Sequence, residues 1–198
     1  MTREQGWNHN VHYHEVILRS IPSPCHRALD VGCGHGLLAR KLAERCDEVV
    51  AIDIDRASLS IARSAGANQA HIDHIEADVM THPFSEGSFD CITTVATLHH
   101  LPLADALIRL CGLLKPGGVL VVIGPYRLNT LADYVAAAAA VPASRALRIL
   151  HGYTEVSAPL ASPRTTLREI RTVSQYLLPG SVLKRRLLFR YSLIWRKP

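Results

Sequence analysis

No apolar run approaches the roughly 20 residues that a membrane-spanning helix needs. The first ten residues, Met1 to Asn10, are polar and lack the apolar core of a secretory signal. Both absences point to a cytoplasmic protein with no stable membrane insertion. Ser/Gly-rich and Pro-rich runs are missing too, so nothing marks a linker. A chain of 198 residues, 48% of them hydrophobic, is then expected to fold as one domain around a full α/β core. The five cysteines are odd in number and show no CxxC pair. Neither a disulfide framework nor a zinc site is indicated, and the cysteines read as reduced thiols. His9, His12 and His14, and likewise His71 with His74, form no ligand quartet, so no metal is expected. The net charge of +5 comes partly from Lys184, Arg185, Arg186, Arg190, Arg196 and Lys197. Such a patch suits nucleic acid, anionic lipid or an acidic substrate, but a solvated strand face is the commoner reason for it.

What is present is a repeating pattern. Short Val/Ile/Leu-rich runs at 27–31, 48–53, 71–76, 89–95 and 118–123 read as strands. Segments 37–45, 57–65 and 103–114, with apolar residues three and four apart, read as helices between them. Alternation of this kind predicts βα units and a doubly wound, mostly parallel sheet, Rossmann-like in form, with ligands at the carboxyl ends of its strands. Lys115-Pro116-Gly117-Gly118 stops the third helix and opens the next strand. Beyond Gly124, residues 128–140 and 165–178 read as helices and 142–163 as irregular. Segments 181–189 and 191–196, too close for a crossover, must form an antiparallel hairpin. At the other end, 11–20 reads as a helix capped by Asn10. The expected organisation is an N-terminal helical cover (1–24), a ligand-binding core (25–124), a second cover (125–180) and a terminal hairpin (181–198).

The stretch Ala28-Leu29-Asp30-Val31-Gly32-Cys33-Gly34-His35-Gly36 puts a glycine loop between the first strand and first helix, where bare backbone can approach a ligand. The loop is GxGxG, one residue shorter than the dinucleotide GxGxxG, and Asp30 precedes it. A pyrophosphate would find no cation before Arg40 and would be repelled by Asp30; an ammonium would be attracted. Asp53 ends the second strand, near the roughly 20-residue offset at which a carboxylate accepts from ribose hydroxyls. Asp55 competes for that role but reads as a helix cap. Asp78 follows the third strand at the same sheet edge. Three carboxylates on one crevice suit a cationic nucleoside, although a turn or cap explains any one of them alone.

With these residues placed, the chain resembles the class I S-adenosylmethionine-dependent methyltransferases, in the compact subgroup with an "LHHL" segment after strand four. Four stretches carry the likeness: Leu29 to Gly36, Val50-Ala51-Ile52-Asp53-Ile54-Asp55, Phe89-Asp90-Cys91-Ile92 with Leu98-His99-His100-Leu101, and Leu114 to Gly118. Together they span residues 28–124, about half the chain. The resemblance implies S-adenosylmethionine as cofactor. Asp30 and the loop of Gly32, Cys33, Gly34 and Gly36 would hold its methionine part, Asp53 with Ile54 the ribose side, and Asp78 with Val79 the adenine. Thr94 and Val95 would line the cofactor, and Asn10, Tyr13 and His14 would cover it.

The donor is already activated, so the enzyme mainly aligns the acceptor and excludes water. A base is optional; His100 and His14 are the candidates, with His99 beside them, while packing or helix initiation also explains each. Strand four is followed by Thr94-Val95-Ala96-Thr97, without the Asn-Pro-Pro-Tyr or Pro-Cys motifs of base methylation. A small-molecule acceptor is therefore expected ahead of lipid or RNA. Arg145, Arg148, Arg164, Arg168 and Arg171 in the second cover favour an anionic acceptor, although solvated helix faces explain arginines equally well. The competing readings are a noncatalytic module binding the same cofactor and a nicotinamide-dependent oxidoreductase, the latter opposed by the short loop, Asp30 and the hairpin. Oligomeric state is not written in the sequence.

Overall fold

A computed structural model of the chain describes residues 8–67, 69–151 and 162–198. Seven strands form one sheet: β1 (Arg27–Val31), β2 (Glu48–Asp53), β3 (Ile72–Glu76), β4 (Phe89–Val95), β5 (Leu114–Pro125), β6 (Val182–Arg186) and β7 (Arg190–Arg196). Their order is β3-β2-β1-β4-β5-β7-β6. The first five run parallel, and β7 inserts antiparallel between β5 and β6. The predicted doubly wound sheet with a terminal hairpin is the observed fold. The order reverses direction at β1 and β4, and a ligand crevice opens outside the carboxyl ends at such a switch point.

Helices α1 (His14–Leu18), α2 (Leu37–Leu42), α3 (Arg56–Ala65), α4 (Leu103–Leu113), α5 (Leu131–His151) and α6 (Leu167–Leu177) flank the sheet. Alternate strand residues feed two cores. Leu29, Val31, Ile92, Leu120 and Val122 pack with Leu107 and Leu110 of α4 and Ile170 of α6. Ala28, Ala51, Cys91, Val121 and Ile123 pack with Ile17 of α1, Leu38 and Leu42 of α2, and Leu59 of α3. Strands buried on both faces read as continuous apolar runs, which is why β1, β2 and β4 have their predicted bounds. All five cysteines are free thiols, four of them buried.

Three expectations need correction. The 11–20 helix is two short pieces, a 3-10 turn at Val11–Tyr13 and then α1. Its start is capped by Asn8, whose Oδ1 accepts from the Asn10 and Val11 amides at 2.9 and 3.0 Å. Asn10 is itself helical and instead accepts from Arg190. Second, strand five begins at Leu114, so Lys115-Pro116-Gly117-Gly118 lies inside it, and its pairing with β4 shifts register there. Lys115 anchors the irregularity through Asp90, 2.9 Å away. Third, the segment after Pro142 is helical: α5 continues through that proline to His151, and residues 152–161 lie outside the described part. An internal proline costs about 3 kcal/mol. Ala140, Ser144 and Leu147, on one face three to four residues apart, are buried or pack on the second core, and that burial offsets it.

The three-residue hairpin connection, Leu187 to Phe189, carries two non-glycine residues at positive φ, Leu188 (59°) and Phe189 (60°). Leu188 is fully buried in the second core, which compensates for the strained backbone. Among the described residues, no helix is long and apolar enough to cross a membrane, and no group of three or more His, Cys, Asp or Glu is placed to hold a metal.

Candidate active site

The crevice outside β1, β2 and β4 is built by backbone first. The Gly32 and Cys33 amides both donate to Ile52 O of β2, at 2.8 and 3.2 Å, folding the glycine loop back over the sheet edge. Gly32, Gly34 and Gly36 all have positive φ (70°, 51° and 70°), the region that side chains disfavour. Their surroundings differ. A Cβ on Gly32 would stand 2.0 Å from Thr97 Oγ1, so this glycine lets the turn after β4 press against the loop. A Cβ on Gly34 would meet nothing within 4 Å. The loop therefore leaves open space above Gly34, at the point where a ligand can meet bare backbone.

Asp53 sits beside that space. Its Oδ2 accepts from the Gly34 amide at 2.8 Å and its Oδ1 from the Asp55 amide at 2.9 Å. It therefore braces the loop and keeps one lone-pair direction per oxygen. Asp55 is the cap of α3, accepting from the Ala57 and Ser58 amides, as its position predicts. Ile54, between them, is 75% exposed, an unusual placement for isoleucine.

Asp30 is buried at the end of β1. Burial pushes its carboxyl up to about 7; a hydrogen bond from Thr93 opposes this, and the nearby Asp53 charge adds to it. Thr93 Oγ1 donates to Asp30 Oδ1 at 3.0 Å, and the Ala39 amide in α2 also favours the charged form. Asp30 Oδ2 nevertheless has no partner of hydrogen-bond geometry among the described residues, and neither has the buried Thr94 Oγ1. Cys33 is buried, and burial with the two neighbouring carboxylates holds its thiol protonated.

Asp78 is exposed in the turn after β3, and its Oδ1 accepts from the Met80 amide at 2.9 Å. Val79 is buried in the first core, with its carbonyl accepting from Arg109. Val95 ends β4 and pairs with Ile123. The N-terminal residues are held by the hairpin and by the second core. The Tyr13 hydroxyl donates to Leu187 O in the hairpin turn, and burial pushes its phenol up to about 12. Asn10 accepts from Arg190. His14 is buried, and burial, assisted by Lys41, lowers its imidazole to about 3, so it is neutral at pH 7 and weakly basic. His100 is exposed at the end of the 3-10 turn Leu98–His100, its ring 4.0 Å from that of His99.

The structure thus brings together Asp30, Gly32, Cys33, Gly34, Gly36, Asp53, Ile54, Thr94 and Val95 at one carboxyl edge, with Asp78 on the adjoining β3 turn. Two residues carry weight that no local signal announces. Thr97 fills the space left by Gly32, and Thr93 holds Asp30; only strand pairing sets them opposite the loop. Fold and site together define an α/β protein that binds a nucleoside cofactor at the switch point of its sheet.

Comparison narrows that class. The model of a methyltransferase domain matches residues 29–122. An uncharacterized methyltransferase of Mycobacterium tuberculosis is 39% identical over 200 residues, spanning 98% of this chain and 99% of its own. A ubiquinone biosynthesis O-methyltransferase of Nitrosococcus oceani is 40% identical over 95 residues, 46% of this chain and 40% of its own. In fold, N-methyltransferase NodS of Bradyrhizobium japonicum, solved with S-adenosyl-l-homocysteine, aligns with TM-score 0.63 at 20% identity, over 95% of this chain and 87% of that one. A SAM-dependent methyltransferase of Aquifex aeolicus aligns with TM-score 0.65 at 15% identity, over 93% and 89%. The chain belongs to the class I S-adenosylmethionine-dependent methyltransferases. It is an enzyme that takes S-adenosylmethionine as cofactor and transfers its methyl group to an acceptor.

Proposed function

We propose that the acceptor is a small molecule, and that residues 125–180 form the cover that selects it, over a cofactor-binding core at 25–124. The small-molecule reading draws on the ubiquinone biosynthesis O-methyltransferase relative, and the cofactor-binding core on the open space above Gly34 beside Asp53, with the partnerless Asp30 Oδ2 and Thr94 Oγ1 at the same edge. These groups fit the cofactor: bare backbone and carboxylate for its amino acid part, and two free lone-pair directions on Asp53 for ribose hydroxyls. The exposed Ile54 offers an apolar face to adenine, with Asp78 and the Val79 backbone at its edge. Val95 and Thr94 line the reacting side.

The cofactor supplies a methyl carbon on a sulfonium, and the electron pair of the breaking C–S bond returns to sulfur as the acceptor's lone pair bonds to carbon. The chain's contribution is alignment and water exclusion. We assign no fixed base to His14, because a group with so low a proton affinity takes up a proton poorly at neutral pH. We assign the proton to solvent or to the exposed His100.

The cofactor's ammonium should favour the ionised form of Asp30. Since burial raises that carboxyl to about 7 in the free protein, binding at lower pH must expel a proton. Affinity for S-adenosylhomocysteine is expected to rise about tenfold from about pH 5.5 to 7, and to be nearly flat in Asp30→Asn. Calorimetry in buffers of different ionisation heat counts the proton; a flat profile for the unaltered protein would count against contact between Asp30 and the ammonium.

Exchanging residues 128–178 for the equivalent segment of a related enzyme with another acceptor tests the cover. Mass spectrometry of extracts incubated with isotopically labelled cofactor identifies the product. The expected chimera keeps its cofactor affinity and changes its acceptor. A folded chimera with lost affinity places the segment in the cofactor site instead.

A further inference from the structure

Away from the glycine loop, a pocket of about 190 Å³ opens between the first turns of α5 and α6 and strand β6. Arg168, Arg171 and Arg185 line it, with Asn129, Thr130 and Asp133. Arg185 is fixed: its Nη2 donates to the buried Asp133 carboxylate, and its Nη1 to Ala132 O at 3.2 Å. That carboxylate's charge is already engaged, since Oδ1 accepts from Arg185 and its other oxygen accepts from the Asn129 and Thr130 amides. Glu169, the acid nearest along α6, is turned back to cap Thr166. Arg168 and Arg171, three residues apart on one helix face, form no ion pair among the described residues. Three guanidiniums therefore meet one carboxylate, which is already paired with Arg185. Like charges gathered in a concave site repel unless an anion joins them, and the planar guanidinium fork matches an oxyanion.

Register locates the pocket relative to the chemistry. Arg185 pairs with Tyr191 of β7, and Tyr191 pairs with Gly124 of β5. Gly124 follows Ile123, the partner of Val95 on β4. Arg185 is thus three strand spacings from the end of β4, about 14 Å. Both lie at the carboxyl edge, and the α5 and α6 turns over the pocket belong to the proposed cover.

We infer that this pocket binds an oxyanion, the carboxylate or phosphate at the far end of an elongated methyl acceptor, an assignment that rests on the reading of residues 125–180 as the acceptor cover. The test has two arms on the full chain saturated with S-adenosylhomocysteine. In the first, the arginine side-chain ¹⁵N resonances are followed while inorganic phosphate or succinate is added at constant ionic strength. Saturable shifts are expected at Arg168, Arg171 and Arg185 and not at Arg19 or Arg56; the tighter probe tells phosphate from carboxylate. Non-saturating shifts, or equal shifts at all five, overturn the pocket whatever the acceptor is. In the second, label transferred from the cofactor to extract molecules is separated by anion exchange. Label should appear in the retained fraction and fall at least tenfold in Arg168→Gln/Arg171→Gln, with S-adenosylhomocysteine affinity changed less than about twofold. Unretained product, undiminished in the variant, overturns the subsite but leaves methyl transfer standing. Failure of the cover reading shows separately, as a 128–178 chimera with an unchanged acceptor.

Discussion

Gly34→Ala is expected to remain folded and to lose cofactor affinity by about a hundredfold, while Gly32→Ala is expected to be badly destabilised. Both glycines have positive φ, so each variant bears a left-handed backbone strain of about 1–2 kcal/mol. The difference lies in what the new methyl meets. At Gly34 it meets nothing within 4 Å, so folding suffers the strain alone, but the methyl occupies the space the ligand needs. At Gly32 it would lie 2.0 Å from Thr97 Oγ1 and 2.7 Å from Thr97 Cβ, and no rotation of the threonine moves its Cβ away. The backbone at Thr97 would have to shift, and overpacking of this kind typically adds about 1–3 kcal/mol. A total near 4 kcal/mol corresponds to a fall in melting temperature of roughly 10 °C for a chain of this size. Thermal unfolding and titration with S-adenosylhomocysteine separate the two effects. Similar melting temperatures in both variants would show that Thr97 yields; unchanged affinity in Gly34→Ala would remove the loop from the cofactor site.

Asp53→Ala is the second substitution with a large expected effect, because one carboxylate serves two ends. It braces the loop through Gly34 and orients the start of the α3 cap through the Asp55 amide, and it is the acceptor assigned to the ribose hydroxyls. Charge-assisted hydrogen bonds contribute about 1.5–3 kcal/mol each. Losing two toward the cofactor implies at least a hundredfold weakening, with further loss from the unbraced loop. Asp53→Asn keeps one acceptor oxygen and should fall between. Asp55→Ala is the control: it removes the α3 cap, worth about 0.5–2 kcal/mol of stability, and should leave affinity within about threefold. Equal affinity losses at both positions would mean that the ribose contact is shared or misplaced.

Much of the core was legible because local rules and tertiary packing agree there. Strands buried on both faces are continuous apolar runs, and a glycine loop between strand and helix has few other uses. Asp55 reads as a cap because capping is settled within one turn of chain. Legibility falls where long-range burial overrides a local rule. Pro142 is a helix breaker by itself, yet α5 continues because Ala140, Ser144 and Leu147 have a core to meet on the far side of it. Asn10 has the chemistry of a cap, but Arg190, distant in sequence, takes its side chain and Asn8 caps instead. Tyr13 and His14 read as a cover from the sequence, but only the fold shows that Leu187 O accepts from the hydroxyl of one and that the ring of the other is buried.

The sequence by itself determined the sheet, its parallel sense, the antiparallel ending, and the loop-plus-carboxylate set that marks the cofactor, because each depends on periodicity or spacing within about twenty residues. Only the tertiary structure decided which groups those residues face. Strand pairing puts Thr93 on Asp30, and the turn after β4 puts Thr97 against Gly32. Burial beside Asp53 raises the Asp30 carboxyl to about 7. The last hairpin brings Arg185 to Arg168 and Arg171 across two helix starts, turning arginines that are scattered in sequence into one charged pocket. Each of these is a contact between segments far apart in the chain, and the energies of burial and of charge depend on the neighbours that folding supplies.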